Sequence, residues 1–135
     1  MRLSIFTDGG ARGNPGRAAV GVVVLDDNGK EIFQLSKYIG HKTNNEAEYQ
    51  AVLEAFAWLL EKKENLEKVD FYLDSKLVVS QLEGRFKIKA QNLKPLFFQI
   101  QTLRQKLPLR VFFHHVGREK NKRADQLVNL ALDNK

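Results

Sequence analysis

The sequence predicts an α/β domain with a mixed β-sheet, and three observations support this prediction. The pair Asn28-Gly29 lies between two β-rich runs and is typical of a hairpin turn. Apolar residues then recur at helical spacing from about Asn44 to about Lys63. The rest of the chain alternates β-rich runs with helical patterns, as expected for strands and helices packed in layers.

The first three β-rich runs predict three strands. Leu3 to Thr7 forms the first, and the runs Ala18 to Leu25 and Glu31 to Tyr38 flank the Asn-Gly turn. Because a tight turn joins neighbouring strands of opposite direction, at least two of the three strands are expected to be antiparallel.

The remaining elements alternate in type, and the whole pattern fits one domain. No internal repeat, low-complexity tract or Pro/Ser-rich linker interrupts residues 1–135, so we expect a single domain over that range. Pro95 is tolerated in the first turn of its helix. After the long helix we expect, in chain order, a strand from Val69 to Leu73, helices from about Ser75 to Glu83 and about Asn92 to Lys106, a strand from Val111 to His115 and a helix from Lys122 to Leu132.

The composition excludes several classes of protein. With 43% hydrophobic and 28% charged residues, the chain of 135 residues is ordinary for a globular domain and can bury a core. The absence of cysteine excludes a disulfide scaffold, a thiolate zinc site and a cysteine nucleophile. No apolar run approaches the ~18 residues of a membrane span, and the first residues lack the apolar stretch of a signal peptide. We therefore expect a cytoplasmic protein without a membrane partner.

The charge is distributed unevenly along the chain. The net charge is +6, but residues 1–83 hold 10 Lys/Arg against 13 Asp/Glu, whereas residues 84–135 hold 12 against 3. A strongly basic segment of this kind fits a protein that binds the phosphate backbone of nucleic acid. It also fits a solvated basic surface, and charge by itself does not choose between the two.

Two glutamates of the long helix are expected to have different roles. Thr43 and Glu46 have the spacing of a capping box, in which the two side chains satisfy the first backbone N–H groups of the helix. Glu48 instead lies at helical spacing from Ala51 and Val52 on the buried stripe. A buried carboxylate costs free energy unless it is protonated, paired or bound to a cation.

Three aspartates are expected to join Glu48. Asp125 lies at helical spacing from Val128 and is expected to face inward, while Asp8 ends the first strand and Asp74 ends the fourth. Each aspartate alone fits a turn or a helix cap, such as an N-cap at Asp74. Four converging carboxylates without matching basic partners indicate hard divalent cations, which prefer oxygen ligands.

The segment from Asp8 to Gly16 is crowded with glycine and is expected to be a loop after the first strand. It lacks the phosphate-loop signature, and a strand pattern rather than a helix follows it, which excludes a dinucleotide-binding fold. Glycines there would let the backbone approach a bulky polyanion, with Asn14 free to bond a base edge or a sugar.

Four ordered motifs make the chain similar to a known family over nearly its whole length. They are TDGGARGNPG (7–16), TNNEAEYQA (43–51), LDSKLVVSQL (73–82) and REKNKRADQLVN (118–129), and with them the sequence resembles the type 1 ribonuclease H family. The resemblance implies a five-stranded mixed sheet flanked by helices and a two-metal mechanism, with Mg²⁺ or Mn²⁺, that hydrolyses the RNA strand of RNA–DNA hybrids. It also implies 5′-phosphate and 3′-hydroxyl ends. The catalytic, metal-binding set that it implies is Asp8, Glu48, Asp74 and Asp125.

The resemblance further implies contacts with the minor groove of the hybrid. Members of the family use the asparagines at the positions of Asn14, Asn44 and Asn45, and the wide, shallow groove of an A-like duplex displays groups that amides can bond. For Asn44 and Asn45, support of the helix start is the alternative.

The chain departs from the family pattern at three places. Arg118 stands in the loop where many members carry a histidine, so we expect Arg118 to take part in catalysis, and we expect at least one of His114 and His115 to be packed in the sheet. Lys76 replaces a common glutamine and becomes a candidate substrate contact. The connector before the third helix is too short for the basic protruding helix of some members, which leaves Arg85, Lys87 and Lys89 as candidate phosphate contacts, with Phe86 equally able to be exposed or core.

We therefore expect a monomeric, metal-dependent endoribonuclease without an obligate protein partner. RNA–DNA hybrid is the expected substrate, and double-stranded RNA is a second candidate because a flexible connector offers little shape selectivity. The alternative is a nucleic-acid-binding module that keeps the fold without turnover. A metabolite-binding protein is disfavoured by the basic C-terminal segment.

Overall fold

The computed structural model describes residues 1–62 and 65–135. Within them lie five strands, four α-helices and one short 3₁₀ turn at Arg118–Lys120. The strands are β1 (Arg2–Arg12), β2 (Gly16–Leu25), β3 (Glu31–Lys42), β4 (Lys68–Leu73) and β5 (Arg110–His115), and the helices are α1 (Asn44–Lys62), α2 (Lys76–Leu82), α3 (Lys94–Gln105) and α4 (Lys122–Asp133).

The five strands form one mixed sheet in the order β3-β2-β1-β4-β5. Strand β2 is antiparallel to both β1 and β3, whereas β4 runs parallel to β1 and β5 runs parallel to β4. The predicted fold class, a five-stranded mixed sheet with three antiparallel N-terminal strands, is confirmed. The predicted end of α1 near Lys63 lies outside the described residues.

Helices cover the two faces of the sheet unequally. On one face α1 packs across β1 and β2 with α3 beside it, and this side holds most of the core, including Ile5, Phe56 and Phe71. On the other face α4 packs against β1, β2 and β3 around Ala19 and Val128. No helix among the described residues is long and apolar enough to cross a membrane.

The glycine-rich segment is strand from Asp8 to Arg12 and a turn only at residues 13–15, which corrects the prediction of a loop from Asp8 to Gly16. Strand β1 continues through Asp8 to Arg12 because each of these residues pairs with β2, from Asp8 opposite Gly21 to Arg12 opposite Arg17. Asp8 therefore lies within the paired part of β1 rather than at its end.

Asp74 does not cap the helix that follows it. The hydroxyl of Ser75 accepts a hydrogen bond of 3.3 Å from the backbone N–H of Val78, so Ser75 is the N-cap of α2. This leaves the Asp74 carboxylate available for other contacts.

Two glycines allow helices to lie very close to the sheet. A Cβ atom at Gly9 would overlap the backbone carbonyl of Ala47 in α1, and a Cβ atom at Gly21 would overlap the backbone carbonyl of Ala124 in α4. Glu48 and Asp125 immediately follow these two alanines, so each contact places a carboxylate next to β1.

We expect Gly9→Ala to lower the free energy of unfolding by about 2 kcal/mol or more, because overpacking forces backbone shifts. Gly10→Ala is the matched control, since its Cβ would lie 3.7 Å from the side chain of Val128, an ordinary contact. The control should change stability by less than about 1 kcal/mol. Urea unfolding of both variants measures the difference, and equal stabilities would contradict the close approach of α1.

Candidate active site

Three carboxylates from three elements converge at one edge of the sheet. Asp8 lies on β1, Glu48 on α1 and Asp74 directly after β4, and one oxygen from each lies within 4.8 Å of the others. Phe6 and Tyr72 are register partners in the parallel pair β1 and β4. Asp8 lies two residues beyond Phe6 and Asp74 two residues beyond Tyr72, so the paired strands bring the two aspartates to the same end of β4.

Glu48 is held in the buried position that its helical spacing predicts. Its side chain is 6% exposed, and its Oε1 accepts a hydrogen bond of 3.1 Å from the backbone N–H of Gly9. Its Oε2 is buried without a hydrogen-bond partner among the described residues. A buried oxygen without a donor is a position that a cation can satisfy.

Glu46 has the separate, structural role that the capping box predicts. Its Oε1 accepts from the backbone N–H of Thr43 at 2.9 Å, and the Thr43 hydroxyl accepts from the backbone N–H of Glu46 at 3.1 Å. The structure thus distinguishes two glutamates only two residues apart.

The carboxylate cluster is short of positive charge. Burial raises the pKa of Asp8 to about 7; the neighbouring carboxyl group of Glu48 acts against this, and the charges of Asp74 and Asp125 add to it. Burial, followed by the charge of Asp8, also raises the pKa of Glu48 well above its usual range. Carboxyl groups in this state fit divalent cations, which supply the missing charge through oxygen coordination.

The prediction that the Asp125 side chain faces inward is wrong. The buried face of α4 consists of Ala124, Leu127, Val128 and Leu132, and Asp125 lies beside it as an exposed residue. Its carboxylate lines the same cavity as the other three but lies outside their tight cluster. The amide of Asn129 donates to it at 3.3 Å.

The carboxylates line a cavity of about 500 Å³, and the predicted site residues divide between this cavity and other surfaces. Asn44, Asn45 and Arg118 line the cavity together with the four carboxylates. Asn14, Lys76, Arg85, Lys87 and Lys89 are exposed residues that do not line it.

Asn14 and Asn44 hold the turn after β1 against the start of α1. The backbone N–H of Asn44 donates to Asn14 Oδ1 at 3.0 Å, and the backbone N–H of Ala11 donates to Asn44 Oδ1 at 2.8 Å. The side chain of Asn14 therefore supports the helix start, and the side chain of Asn44 bonds β1. The asparagines remain exposed, so the bonds position them without burying them.

The histidines and the connector lie apart from the cavity. His114 stacks on Tyr72 with ring centroids 5.1 Å apart and remains 44% exposed, and His115 is exposed as well. In the connector Phe86 is 55% exposed, and Arg85 forms an ion pair of 2.7 Å with Glu83. The exposed alternative for Phe86 is the one that the structure shows.

Sequence reasoning missed Asn121, a buried residue at the start of α4. Its side chain is 1% exposed, and its Nδ2 donates to the Thr7 carbonyl at 2.9 Å and to Asp74 Oδ2 at 3.3 Å. Its backbone carbonyl accepts from the N–H of Asp125. Asn121 thus contacts the chain next to Asp8, the Asp74 carboxylate and the helix turn of Asp125; only its position at a predicted helix start could have drawn attention to it.

Comparison with known proteins agrees with this fold. Residues 6–131 match the family model described as reverse transcriptase-like. The bifunctional protein Rv2228c of Mycobacterium tuberculosis is 38% identical over 134 residues, which are 98% of this chain and 36% of that protein. The ribonuclease H of Erythrobacter litoralis is 30% identical over 145 residues, 98% of this chain and 96% of that protein.

A solved structure is similar over the whole fold. LC11-RNase H1, isolated from compost by a metagenomic approach, superposes in its complex with RNA/DNA hybrid with a TM-score of 0.93 at 43% identity, covering 98% of this chain and 97% of that chain. This chain belongs to the type 1 ribonuclease H family. It spans about a third of the length of the mycobacterial relatives that it matches.

We expect Asn121→Ala to lower the free energy of unfolding by about 1–3 kcal/mol, because it leaves the buried carbonyl of Thr7 without its donor. Asn134→Ala is the control at the other end of α4, where an exposed amide bonds the Leu130 carbonyl. The control should cost no more than about 0.5 kcal/mol. Denaturant unfolding of the metal-free proteins compares the two, and a fully stable Asn121→Ala variant would show that the buried bonds add nothing.

The raised pKa values predict that the metal-free protein loses stability as the pH rises. The folded protein keeps protons on Asp8 and Glu48 above the ordinary pKa of a carboxyl group, about 4, and Asp8 releases its proton near 7. The contribution of these protonated carboxyl groups to the free energy of unfolding is therefore complete at low pH, and it is lost as the pH rises through about 7. The slope is at most about 1.4 kcal/mol per pH unit for each proton.

The test follows the unfolding of Asp8→Asn and the wild type in EDTA between pH 5 and pH 8. We expect the variant to gain stability relative to the wild type as the pH rises, because it carries no charge to desolvate. Glu61→Gln, at an exposed position of α1, should keep a constant difference. A constant difference for Asp8→Asn as well would contradict the assignment.

Proposed function

We propose that this chain is a divalent-metal-dependent endoribonuclease that hydrolyses the RNA strand of RNA–DNA hybrids. The observation that carries the proposal is the convergence of Asp8, Glu48 and Asp74 within 4.8 Å, with one buried oxygen of Glu48 left without a partner. A buried acidic cluster with an open cavity beside it suits metal-assisted cleavage of a phosphodiester.

The four carboxylates would hold the metal ions. When bound, Mg²⁺ or Mn²⁺ would polarise the scissile phosphate and lower the pKa of an attacking water. Glu48, fixed by Gly9, and Asp8 would supply the buried ligands, and Asp74 would be oriented by the amide of Asn121. Asp125, exposed on α4, would add a carboxylate at the open side of the cavity, and we propose two ions with substrate bound.

The substrate assignment follows from the relatives and from the cavity lining. LC11-RNase H1, 43% identical, has been solved with an RNA/DNA hybrid. Asn44 and Asn45 line the cavity next to the carboxylates, where amides could bond base edges and 2′-hydroxyls in the minor groove. Asn14 would contribute from the adjoining turn, and double-stranded RNA is a further candidate because it displays the same groove.

Arg118 is proposed to assist at the phosphate. It lies on the 3₁₀ turn between β5 and α4 and lines the cavity. A guanidinium can bond phosphate oxygens in two places at once, so Arg118 would bind the scissile group or the departing product. We also propose that the enzyme is a cytoplasmic monomer, since a cysteine-free chain suits a reducing compartment.

A nucleic-acid-binding module without turnover is the alternative function. Its supporting observation is that the exposed basic residues of the C-terminal segment would bind phosphates whether or not cleavage occurs. Incubation of labelled hybrid with the protein, with and without Mg²⁺, separates the two. Binding without metal-dependent cleavage would establish the alternative.

We expect Asp8→Asn, Glu48→Gln and Asp74→Asn each to reduce cleavage of hybrid by a factor of about 1,000 or more, because each removes a charged ligand while keeping its shape. Glu46→Gln is the matched control within the same helix. It alters only the capping box and should cost a few tenths of a kcal/mol in stability with little change in activity. An active Glu48→Gln beside an inactive Glu46→Gln would reverse the assignment.

The connector is predicted to contribute phosphate contacts. Replacing Arg85, Lys87 and Lys89 together by alanine should raise the KM for hybrid, leave kcat nearly unchanged and flatten the slope of log K against log[salt] by up to about 2.7. The control replaces Lys30, Lys62 and Lys106, three exposed lysines elsewhere. If the two triple variants behave alike, the connector points away from the duplex.

A further inference from the structure

The side of the sheet that carries α4 is only half covered. Helix α4 packs over β3, β2 and β1, whereas no helix of residues 1–62 and 65–135 covers the same side of β4 and β5. The burial pattern shows this directly: alternate residues of β5, Val111 and Phe113, are buried, while the residues between them are exposed. We call the residues of β1, β4 and β5 on this side the open face. They are Arg2, Ser4, Phe6, Lys68, Asp70, Tyr72, Arg110, Phe112 and His114.

The strand register arranges the open face in rows. Arg2 pairs with Lys68 and Lys68 pairs with Arg110, so three cationic residues lie side by side across the three strands. Four residues further along each strand, a second register row consists of three rings, Phe6, Tyr72 and His114.

The rings of the second row form a continuous stack. Phe6 and Tyr72 have ring centroids 4.8 Å apart, and Tyr72 and His114 have centroids 5.1 Å apart, both with nearly parallel planes. β5 is the edge strand, so the stack ends at His114, which is 44% exposed. Between the two rows, Phe112 is 42% exposed, with the Lys68 ammonium 5.3 Å from its ring centroid. Exposed rings at the end of a stack are surfaces on which nucleobases can stack.

The charge of the open face also suits a nucleic acid. Asp70, the acidic residue between the two rows, is paired with His114 at 2.7 Å and with Lys68 at 3.5 Å. Arg2 and Arg110 are exposed at the far end. Cations beside exposed rings are the combination by which proteins bind single strands, through phosphates and bases respectively.

The rows lead to the acidic cluster. Asp8 lies two residues beyond Phe6 on β1, and Asp74 directly follows the end of β4 two residues beyond Tyr72. At about 3.3 Å per residue, the path from Arg2 to Asp8 is roughly 20 Å long. A strand with its scissile phosphate at these carboxylates could therefore continue over the rings and reach the cations.

We propose that the open face binds single-stranded RNA, namely the unpaired extension of the RNA strand that is cleaved at Asp8 and Asp74. The choice of RNA rests on the proposed function, because the carboxylates act on that strand. The duplex would lie over the mouth of the cavity, and the extension would leave it across the rings.

The first experiment measures binding of a labelled single-stranded RNA in EDTA, where no cleavage occurs. The double variant Arg110→Ala/Phe112→Ala removes one cation and one exposed ring from the open face. Its matched control, Lys106→Ala/Phe98→Ala, removes the same groups from the region of α3, where Phe98 is 63% exposed. We expect the Kd to rise about fivefold or more for the first variant only, and the salt slope to flatten by about 0.7. Equal affinities for the two variants, both folded by circular dichroism, would overturn the proposal.

The second experiment compares hybrids that are blunt with hybrids that carry a single-stranded RNA extension on either side. An extension should tighten binding in EDTA, and the open-face variant should lose this gain while cleaving blunt hybrid at the wild-type rate. No gain from either RNA extension, or a gain only from DNA extensions, would overturn the proposal. A dimer in sedimentation that the open-face variant loses would also overturn it, since a second copy would then cover the face.

The two experiments separate this inference from the proposed function. If blunt hybrid is cleaved with Mg²⁺ and the Arg110→Ala/Phe112→Ala variant binds RNA as tightly as the wild type, only the proposal of RNA binding by the open face is refuted. If the protein cleaves no hybrid but its RNA binding depends on the open face, only the proposed nuclease function is refuted.

Discussion

The close approach of two helices to opposite faces of β1 and β2 determines where the chemistry lies. At Gly9 the start of α1 lies against β1, and at Gly21 the start of α4 lies against β2. The alanine that each glycine contacts comes directly before a carboxylate residue. Glu48 follows Ala47, and Asp125 follows Ala124. Because Gly21 pairs with Asp8, both helices meet the sheet around the same aspartate. A side chain at either glycine would move a ligand by the width of a methyl group.

This arrangement is costly for the protein without metal. Burial and mutual repulsion raise the pKa of Asp8 and of Glu48. The folded protein therefore disfavours the ionised form of both carboxyl groups. The hydrogen bond from Gly9 satisfies only one oxygen of Glu48. Stability given up at such a site is typical of functional clusters, and the remaining core, built on Phe56 and Phe71, is large enough to offset it.

The antiparallel and parallel parts of the sheet have different roles. The antiparallel half is covered on both faces and positions the helices, whereas the parallel pair β4 and β5 carries Asp74 and leaves one face open. Asn121 joins the halves, since its amide bonds the carbonyl of Thr7 on β1 and the carboxylate of Asp74 after β4. The acidic cluster and the ring row of the open face are therefore close along β1, where Phe6 is two residues from Asp8.

Local patterns in the sequence determined the elements, the capping box of Thr43 and Glu46, and the burial of Glu48, because helical and strand periodicities are properties of the chain itself. Helical spacing and strand ends nominated the four carboxylates, and the motif resemblance gave the same set. The tertiary structure decided what depends on contacts between distant residues: the extension of β1 through Asp8 by pairing with β2, the exposure of Asp125 beside the buried stripe of α4, and the insertion of Asn121 between strands. Periodicity places a residue on a face of its own element, but only packing decides whether another element covers that face.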